Sequence, residues 1–436
     1  MSNYQARAEK ILSRIQALAA ISEMGSGIAR RYGTAASAEA GRKVSAWMKE
    51  AGLEVREDAI GNIRGRWATG GQSDMGEMVD ERGPAGTGKQ TPRKTLVIGS
   101  HIDTVVNAGR WDGPLGVLAG LDIIEHMIGS GLRPAFDVEL VAFCDEEGVR
   151  YHTTYLGSKV LAGSFDREML ERKDGEGVRL EEAIRAIGGD PDGLERDAMP
   201  SERWLGYFEM HIEQGPVLYE SGIPVAAVRA IAGQVRAEVI FKGMAGHAGT
   251  VPMNMRKDAL AGGAEFVLAV ERLAGEAGSG LVATVGKLHV TDAASNVIPG
   301  EVVCSVDIRS ADTAVLERGH VACRELCEGI GMRRGLEVGW KVVQTSPPVT
   351  CDSRMIGLLE KAMRKAGYET PALVSGAGHD AVAIAAVAPV CMMFVRCYKG
   401  ISHHPEEDVD LSDLAAAIAV ADEFLYQLTE IWKYPH

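Results

Sequence analysis

TLVIGSHIDTVVNAGRWDGPLG, residues 95–116, runs from a short apolar segment into a cluster of polar side chains. Residues 95–98 are β-branched or apolar, the composition of a buried strand, and a Gly99-Ser100 break follows them. Beyond the break come His101 and Asp103, and a loop then delivers Asp112 between Trp111 and Gly113. Packing alone gives no reason for a histidine and two carboxylates at a strand end. In open α/β sheets, ligands sit beyond the carboxyl ends of the strands, so the segment predicts an α/β fold and the place of its chemistry.

The arrangement recurs. Residues 136–143 read as a second apolar strand, ending in Asp145-Glu146-Glu147-Gly148. Residues 207–210 form a third, ending at His211 and followed by Glu213-Gln214-Gly215-Pro216. Residues 390–397 form a fourth, leading into Gly400-Ile401-Ser402-His403-His404-Pro405-Glu406. Helices are expected over 5–22, 37–52, 115–128, 355–366, 379–387 and 413–433.

From about residue 222 the pattern changes. Strands over 225–231, 235–242, 281–290, 301–308 and 336–343 are interspersed with helices over 258–274 and 313–330. Two helices on one face of a four-stranded antiparallel sheet would make a compact inserted domain. The expected division is a catalytic domain from 1–221 and 345–436, with the insert at 222–344.

The 436 residues favour two domains. A formal net charge of −14 argues against a nucleic-acid or anionic-membrane partner, while leaving room for a small anion held by a few arginines. The N-terminal residues carry charges throughout and show no secretory pattern. No run approaches the ~18 apolar residues of a membrane span. Seven scattered cysteines form neither a disulfide framework nor a CxxC zinc pattern, so a cytoplasmic location is expected. Residues 68–94, rich in Gly and polar side chains, read as an exposed, mobile insertion. Within them Gly83 to Lys89 approaches a P-loop, but Gln90 stands where Ser or Thr is needed and a strand follows, so the nucleotide reading is rejected.

His101, Asp112, Glu147, His211 and His403 are a nitrogen and oxygen set without thiolate, suited to Zn²⁺, Mn²⁺ or Co²⁺. A carboxylate can bridge two such ions. Neighbouring side chains at a strand end point apart, so Glu147 can ligate while Glu146 acts as general base. Asp103, two residues from His101, is placed to hydrogen-bond that imidazole.

The motifs HIDT, DGPLG, DEEG, HIEQGP, GHAGTVPM and GISHHPEE together resemble the M20-type metallopeptidase clan. More closely they resemble its hydantoinase/carbamoylase group, which comprises allantoate amidohydrolases, N-carbamoyl-L-amino acid hydrolases and β-ureidopropionases. The motifs follow family order over nearly the whole chain. The resemblance implies a mixed-sheet zinc-peptidase-like catalytic domain with an inserted α+β, ferredoxin-like lid and dimerisation domain. It implies two divalent metals on His101, Asp112 as the bridge, Glu147, His211 and His403, with Glu146 as base. It also implies substrate contacts from Gln214, His247, Asn296, Arg309 and Gly378, and a homodimer in which His247 serves the partner subunit's site. Where the family has a small residue after the last ligand histidine this chain has His404; the Gly-Ile-Ser spacing favours His403 as the ligand, with His404 the alternative.

The implied reaction is hydrolysis of a ureido carbon–nitrogen bond beside a carboxylate. Allantoate is the first choice of substrate, N-carbamoyl-L-amino acids or N-carbamoyl-β-alanine the alternative. Two other readings are carried: a cysteine amidase using Cys144 or Cys397, and a non-catalytic, metal-stabilised dimerisation module. His379 is expected either to contact substrate or to belong to a helix start capped by Asp380.

Overall fold

The computed structural model describes residues 2–70, 93–276, 280–369 and 371–432. Most of the 68–94 insertion and its P-loop-like run lie outside them. The chain divides into two compact units: Met1–Arg229 with Cys351–Leu373 and Gly378–His436, and Ala230–Thr350 with Val374–Ala377.

In the first unit, helices α1 (Ser2–Ala19) and α2 (Ala35–Glu50) precede the strands β1 (Glu54–Glu57) and β2 (Ile63–Trp67). A capping box starts α2: the Ser37 N–H donates to Thr34 Oγ1, and the Thr34 N–H to Ser37 Oγ. Next come β3 (Thr95–His101), α3 (Pro114–Gly129), β4 (Asp137–Phe143), α4 (Leu156–Leu161), α5 (Leu180–Ala186), β5 (Trp204–Ile212), α6 (Val217–Ser221) and β6 (Val225–Ile231).

The second unit holds β7 (Gly233–Lys242), β8 (Gly246–His247), α7 (Ala259–Glu276), β9 (Val282–Val290), β10 (Val297–Ile298), β11 (Glu301–Ser310), α8 (Thr313–Arg334), β12 (Glu337–Ser346) and β13 (Val349–Thr350). The chain closes with α9 (Ser353–Lys365), β14 (Leu373–Ser375), α10 (Ala381–Ile384), β15 (Val390–Val395) and α11 (Leu411–Trp432).

The first unit is a mixed α/β fold on a mixed sheet, in the order β1-β2-β4-β3-β5-β15-β6. Its centre, β4-β3-β5-β15, is parallel, and the flanking pairs are antiparallel. Every residue of β3, β4, β5 and β15 is buried. That is why these strands read as largely apolar runs, with Asp137 and Glu139 of β4 and Glu209 of β5 buried among them: a parallel sheet is covered on both faces. The parallel register puts the carboxyl ends of all four along one edge of the sheet.

In the second unit the sheet order is β12-β7-β11-β9, antiparallel throughout. Alternate residues of β7 (Val235, Ala237, Val239, Phe241) and β11 (Val302, Cys304, Val306, Ile308) pack with Phe266 and Val270 of α7 and with Cys323, Cys327 and Ile330 of α8. Cys323 and Cys327 are thus small core residues one helical turn apart, as their spacing indicates.

One element differs from expectation. Residues 379–387 do not form a helix of that length: α10 is a single turn, and Asp380 makes no side-chain cap. Beyond Ile384 the chain continues as turns, with the Val387 and Ala388 N–H groups both returning to the Ile384 carbonyl oxygen, before it enters β15. No helix among the described residues is long and apolar enough to cross a membrane.

Candidate active site

Each of the four parallel strand ends contributes to one cluster. From β3, His101 sets its Nδ1 3.1 Å from the Asp103 carbonyl oxygen and 3.5 Å from Asp103 Oδ1. From β5, His211 sets its Nδ1 2.9 Å from the Ile212 carbonyl oxygen. A carbonyl can only accept, so this contact assigns the proton to Nδ1 and turns Nε2 inward as a ligand atom.

Asp112 lies among the imidazoles. Its Oδ1 is 3.1 Å from His211 Nε2 and 3.6 Å from His101 Nε2. Its Oδ2 is 3.1 Å from His403 Nε2, which is itself 3.2 Å from Glu147 Oε1. Two ligand triplets share Asp112, namely His101, Asp112 and His211, and Asp112, Glu147 and His403; two more groups lie beside them, Glu209, His211 and His379, and His101, Glu146 and Glu147. Although buried, Asp112 Oδ1 has no hydrogen-bond partner among the described residues. Ligands about 2.0–2.1 Å from a tetrahedral ion lie about 3.3–3.4 Å apart, so these separations match edges of a coordination shell, and a divalent cation fits the donor set. His404 instead accepts the Glu406 N–H on Nδ1 and joins no ligand group among the described residues; both histidines are exposed, but only His403 faces Asp112 and Glu147.

Burial favours the neutral form of Asp112, but the facing imidazoles of His101, His211 and His403 outweigh it and hold the carboxyl well below its usual range. Burial likewise opposes charge on His101, yet Asp103 and Asp112 raise it well above an ordinary histidine. A proton and a divalent cation therefore compete for the same nitrogen. Glu146 goes the other way: burial pushes its carboxyl well up, Glu147, Asp380 and Asp103 push it further, and His101 opposes them.

Asp103 has a role beyond the expected contact with His101. Its two carboxylate oxygens accept the N–H groups of Glu146 and Glu147, at 3.0 and 3.2 Å, and so tie the end of β4 to the end of β3. Asp145 (φ 52°), Tyr155 (φ 64°), Gln214 (φ 56°) and His403 (φ 55°) all adopt left-handed backbone. Such strain gathers where surrounding structure fixes a functional group.

Gln214 donates from Nε2 to Asp112 Oδ2 at 2.8 Å, and the Ser402 hydroxyl donates to the same oxygen at 2.8 Å. Glu213 accepts the Val217 and Leu218 N–H groups and thereby anchors the turn that carries Gln214. Sequence reasoning missed Ser402 and Glu213, although each lies beside a residue it singled out. Gly378 packs so closely on Tyr155 that a Cβ there would collide with the phenol oxygen.

In the second unit, β8 pairs with β10, setting His247 opposite Val297, and the Ala248 N–H donates to the Asn296 carbonyl oxygen. His247 Nδ1 accepts the Gly249 N–H at 3.0 Å, which makes the exposed Nε2 the donor. Arg256 braces this loop through the Ala248 and Val251 carbonyl oxygens. Arg309 pairs with both Asp307 oxygens at 2.8 and 2.9 Å and reaches the Gly376 carbonyl oxygen.

Neither thiol of the cysteine reading is activated. Burial and nearby carboxylates push Cys144 well above the usual thiol range, and its Sγ contacts the Ile60 carbonyl oxygen. Burial pushes Cys397 up to about 11.

Gly113 turns the chain between Asp112 and α3 at φ 82°, and a Cβ there would lie 2.5 Å from the His101 ring. Gly113→Ala is expected to cost about 1–2 kcal/mol in backbone strain and also to displace His101. A melting curve and a divalent-metal titration check this: both stability and metal affinity should fall.

A family model described as peptidase family M20/M25/M40 matches residues 97–427, and the chain belongs to that family. It is a hydrolase acting on carbon–nitrogen bonds. The family typically depends on divalent metals. Among its relatives is an N-carbamoyl-L-amino acid amidohydrolase of Geobacillus stearothermophilus, 37% identical, with 97% of this chain and 98% of that protein covered. Another is a probable allantoate deiminase of Oryza sativa subsp. japonica, 36% identical, with 97% and 88% covered. A solved hydantoinase/carbamoylase family amidase from Burkholderia multivorans superposes with a TM-score of 0.84 at 32% identity, over 96% of this chain and 97% of that one.

Proposed function

We propose that the protein hydrolyses the ureido carbon–nitrogen bond of a small ureido acid, with allantoate as the leading substrate and an N-carbamoyl-L-amino acid as the second reading. The observation that carries the chemistry is the pair of ligand triplets sharing Asp112, with Glu146 buried beside them. The relatives named for allantoate and for carbamoyl amino acids support the substrate class equally. The motif runs AIAGQVR, GHAGTVPMNMR and SGAGHDA favour allantoate.

His101, His211, Glu147, His403 and the shared Asp112 would hold two divalent ions, Zn²⁺ or Mn²⁺ with Co²⁺ as a substitute. Such ions lower the pKa of a water and polarise the ureido carbonyl. Glu146 takes a proton from the attacking water and delivers it to the nitrogen that leaves. The carbamate so released decays to ammonia and carbon dioxide. His247, donating from Nε2, stabilises the oxyanion; Arg309 receives the substrate carboxylate, with bidentate geometry as the reason for arginine. Asn296, Gln214 and Gly378 line the substrate.

The chain functions in this reading as a catalytic domain, 1–221 and 345–436, with an inserted lid and dimerisation domain at 222–344. The insert's β-α-β-β-α-β order supports a ferredoxin-like description. The dimer, with the partner subunit's His247 completing each site, rests on the family resemblance.

Ammonia release by Mn²⁺-reconstituted protein tests the reading, with allantoate, N-carbamoyl-L-amino acids and N-carbamoyl-β-alanine compared side by side. Turnover of allantoate at least about tenfold above the others in kcat/KM is expected. Fast turnover of a carbamoyl amino acid with negligible allantoate cleavage would reverse the order. No turnover of any ureido acid by metal-loaded protein would favour the non-catalytic module.

A further inference from the structure

We propose that Glu407 is a positioning residue that sets the shared carboxylate of Asp112 by gripping it from both ends. The inference rests on the metal site described above and adds to it a residue outside the ligand and base set.

Glu407 is 2% exposed. Its Oε1 accepts two successive backbone N–H groups, from Trp111 at 2.7 Å and from Asp112 at 3.0 Å. Its Oε2 lies 3.1 Å from Ser402 Oγ, and that hydroxyl reaches Asp112 Oδ2 at 2.8 Å. One buried carboxylate thus holds the main chain of Asp112 directly and shares with its side chain the one proton of the Ser402 hydroxyl. The loop is closed tightly around it: a Cβ at Gly109 would collide with the Glu407 carboxyl group. The neighbouring Asp408 reinforces the tie, accepting from Arg110 at 2.7 Å and from Trp111 Nε1 at 3.0 Å.

These bonds join loop 109–112 to the turn that carries His403. The two segments lie almost 300 positions apart in sequence, yet both supply ligands to the triplet of Asp112, Glu147 and His403. Among the described residues no cationic side chain pairs with Glu407; its charge is met by two N–H dipoles and by a hydroxyl whose one proton it shares with Asp112. Burying a carboxylate on those terms is costly. A neutral cap would satisfy one or two N–H groups more cheaply, so the geometry points to Asp112 as what the arrangement serves. Residues that orient metal ligands act in this way, at one remove from the metal.

The test uses the full-length protein, stripped of metal and titrated with Co²⁺, with visible absorption reporting occupancy and a melting curve as control. Glu407→Leu is expected to weaken Co²⁺ binding about 10–100-fold and to lower kcat with little change in KM. Glu407→Gln retains an oxygen for the two N–H groups, and binding should return to within about fivefold of wild type. Ser402→Ala leaves the N–H pair capped and removes only the hydroxyl link. It should weaken binding about 5–10-fold, and it keeps the inference testable should the leucine variant fail to fold.

A folded Glu407→Leu protein that melts lower but binds Co²⁺ like wild type would show a purely structural role and overturn the inference. Unchanged binding in folded Ser402→Ala would overturn it as well. Wild-type protein that takes up no divalent metal would overturn the proposed function together with this inference, whereas unaltered variants of a metal-binding wild type would overturn this inference alone.

Discussion

Glu146→Gln is expected to lower kcat by about 10²–10⁴-fold while KM and metal content stay within about threefold of wild type. The amide keeps the shape of the side chain but cannot accept a proton. The main chain at this position stays in place, because Asp103 grips the N–H groups of Glu146 and Glu147 rather than their side chains. Burial raises the Glu146 carboxyl, His101 opposes the rise, and Glu147, Asp380 and Asp103 add to it. Steady-state rates on the preferred ureido acid, with metal content measured on the same sample, decide the matter. A variant within tenfold of wild type would remove Glu146 from the role of base.

The second large effect concerns metal. Removal by a chelator is expected to abolish hydrolysis, and Mn²⁺ or Zn²⁺ to restore it in the wild type but not in Asp112→Ala. Asp112 is the only residue common to both ligand triplets among the described residues, so its loss breaks both at once. The remaining side chains would face one another with no shared carboxylate between them. Stability should follow the metal: a ligand present at about 100 times its Kd stabilises the folded state by about 2.7 kcal/mol, which a melting curve resolves. Chelator-resistant activity in the wild type would contradict the metal reading, and Cys144 would then be the first residue to substitute.

The strands of the parallel sheet were legible because their burial on both faces leaves a plain signature, an apolar run closed by a break. Residues 95–98 and 136–143 show this, and the structure extends the first to His101. β7 and β11, expected over 235–242 and 301–308, bury alternate residues instead, since only one face of that sheet packs on helices. The helix expected over 379–387 is shorter in the structure, because alanine content speaks for helix while the turn bonds that follow Ile384 leave no mark in composition.

Residue types and motif order were enough to nominate His101, Asp112, Glu146, Glu147, His211 and His403, because metal ligation and proton transfer each demand a narrow choice of side chain. Tertiary structure alone decided how they meet. The parallel register aligns four strand ends, His403 comes against Asp112 and Glu147, Asp103 turns its carboxylate to the backbone of Glu146 and Glu147, and Glu407 closes on Asp112 from the far end of the chain. Chemistry selects residue types, and a sequence records types directly. Distance and direction arise only when hydrogen-bonded strands bring remote segments into register.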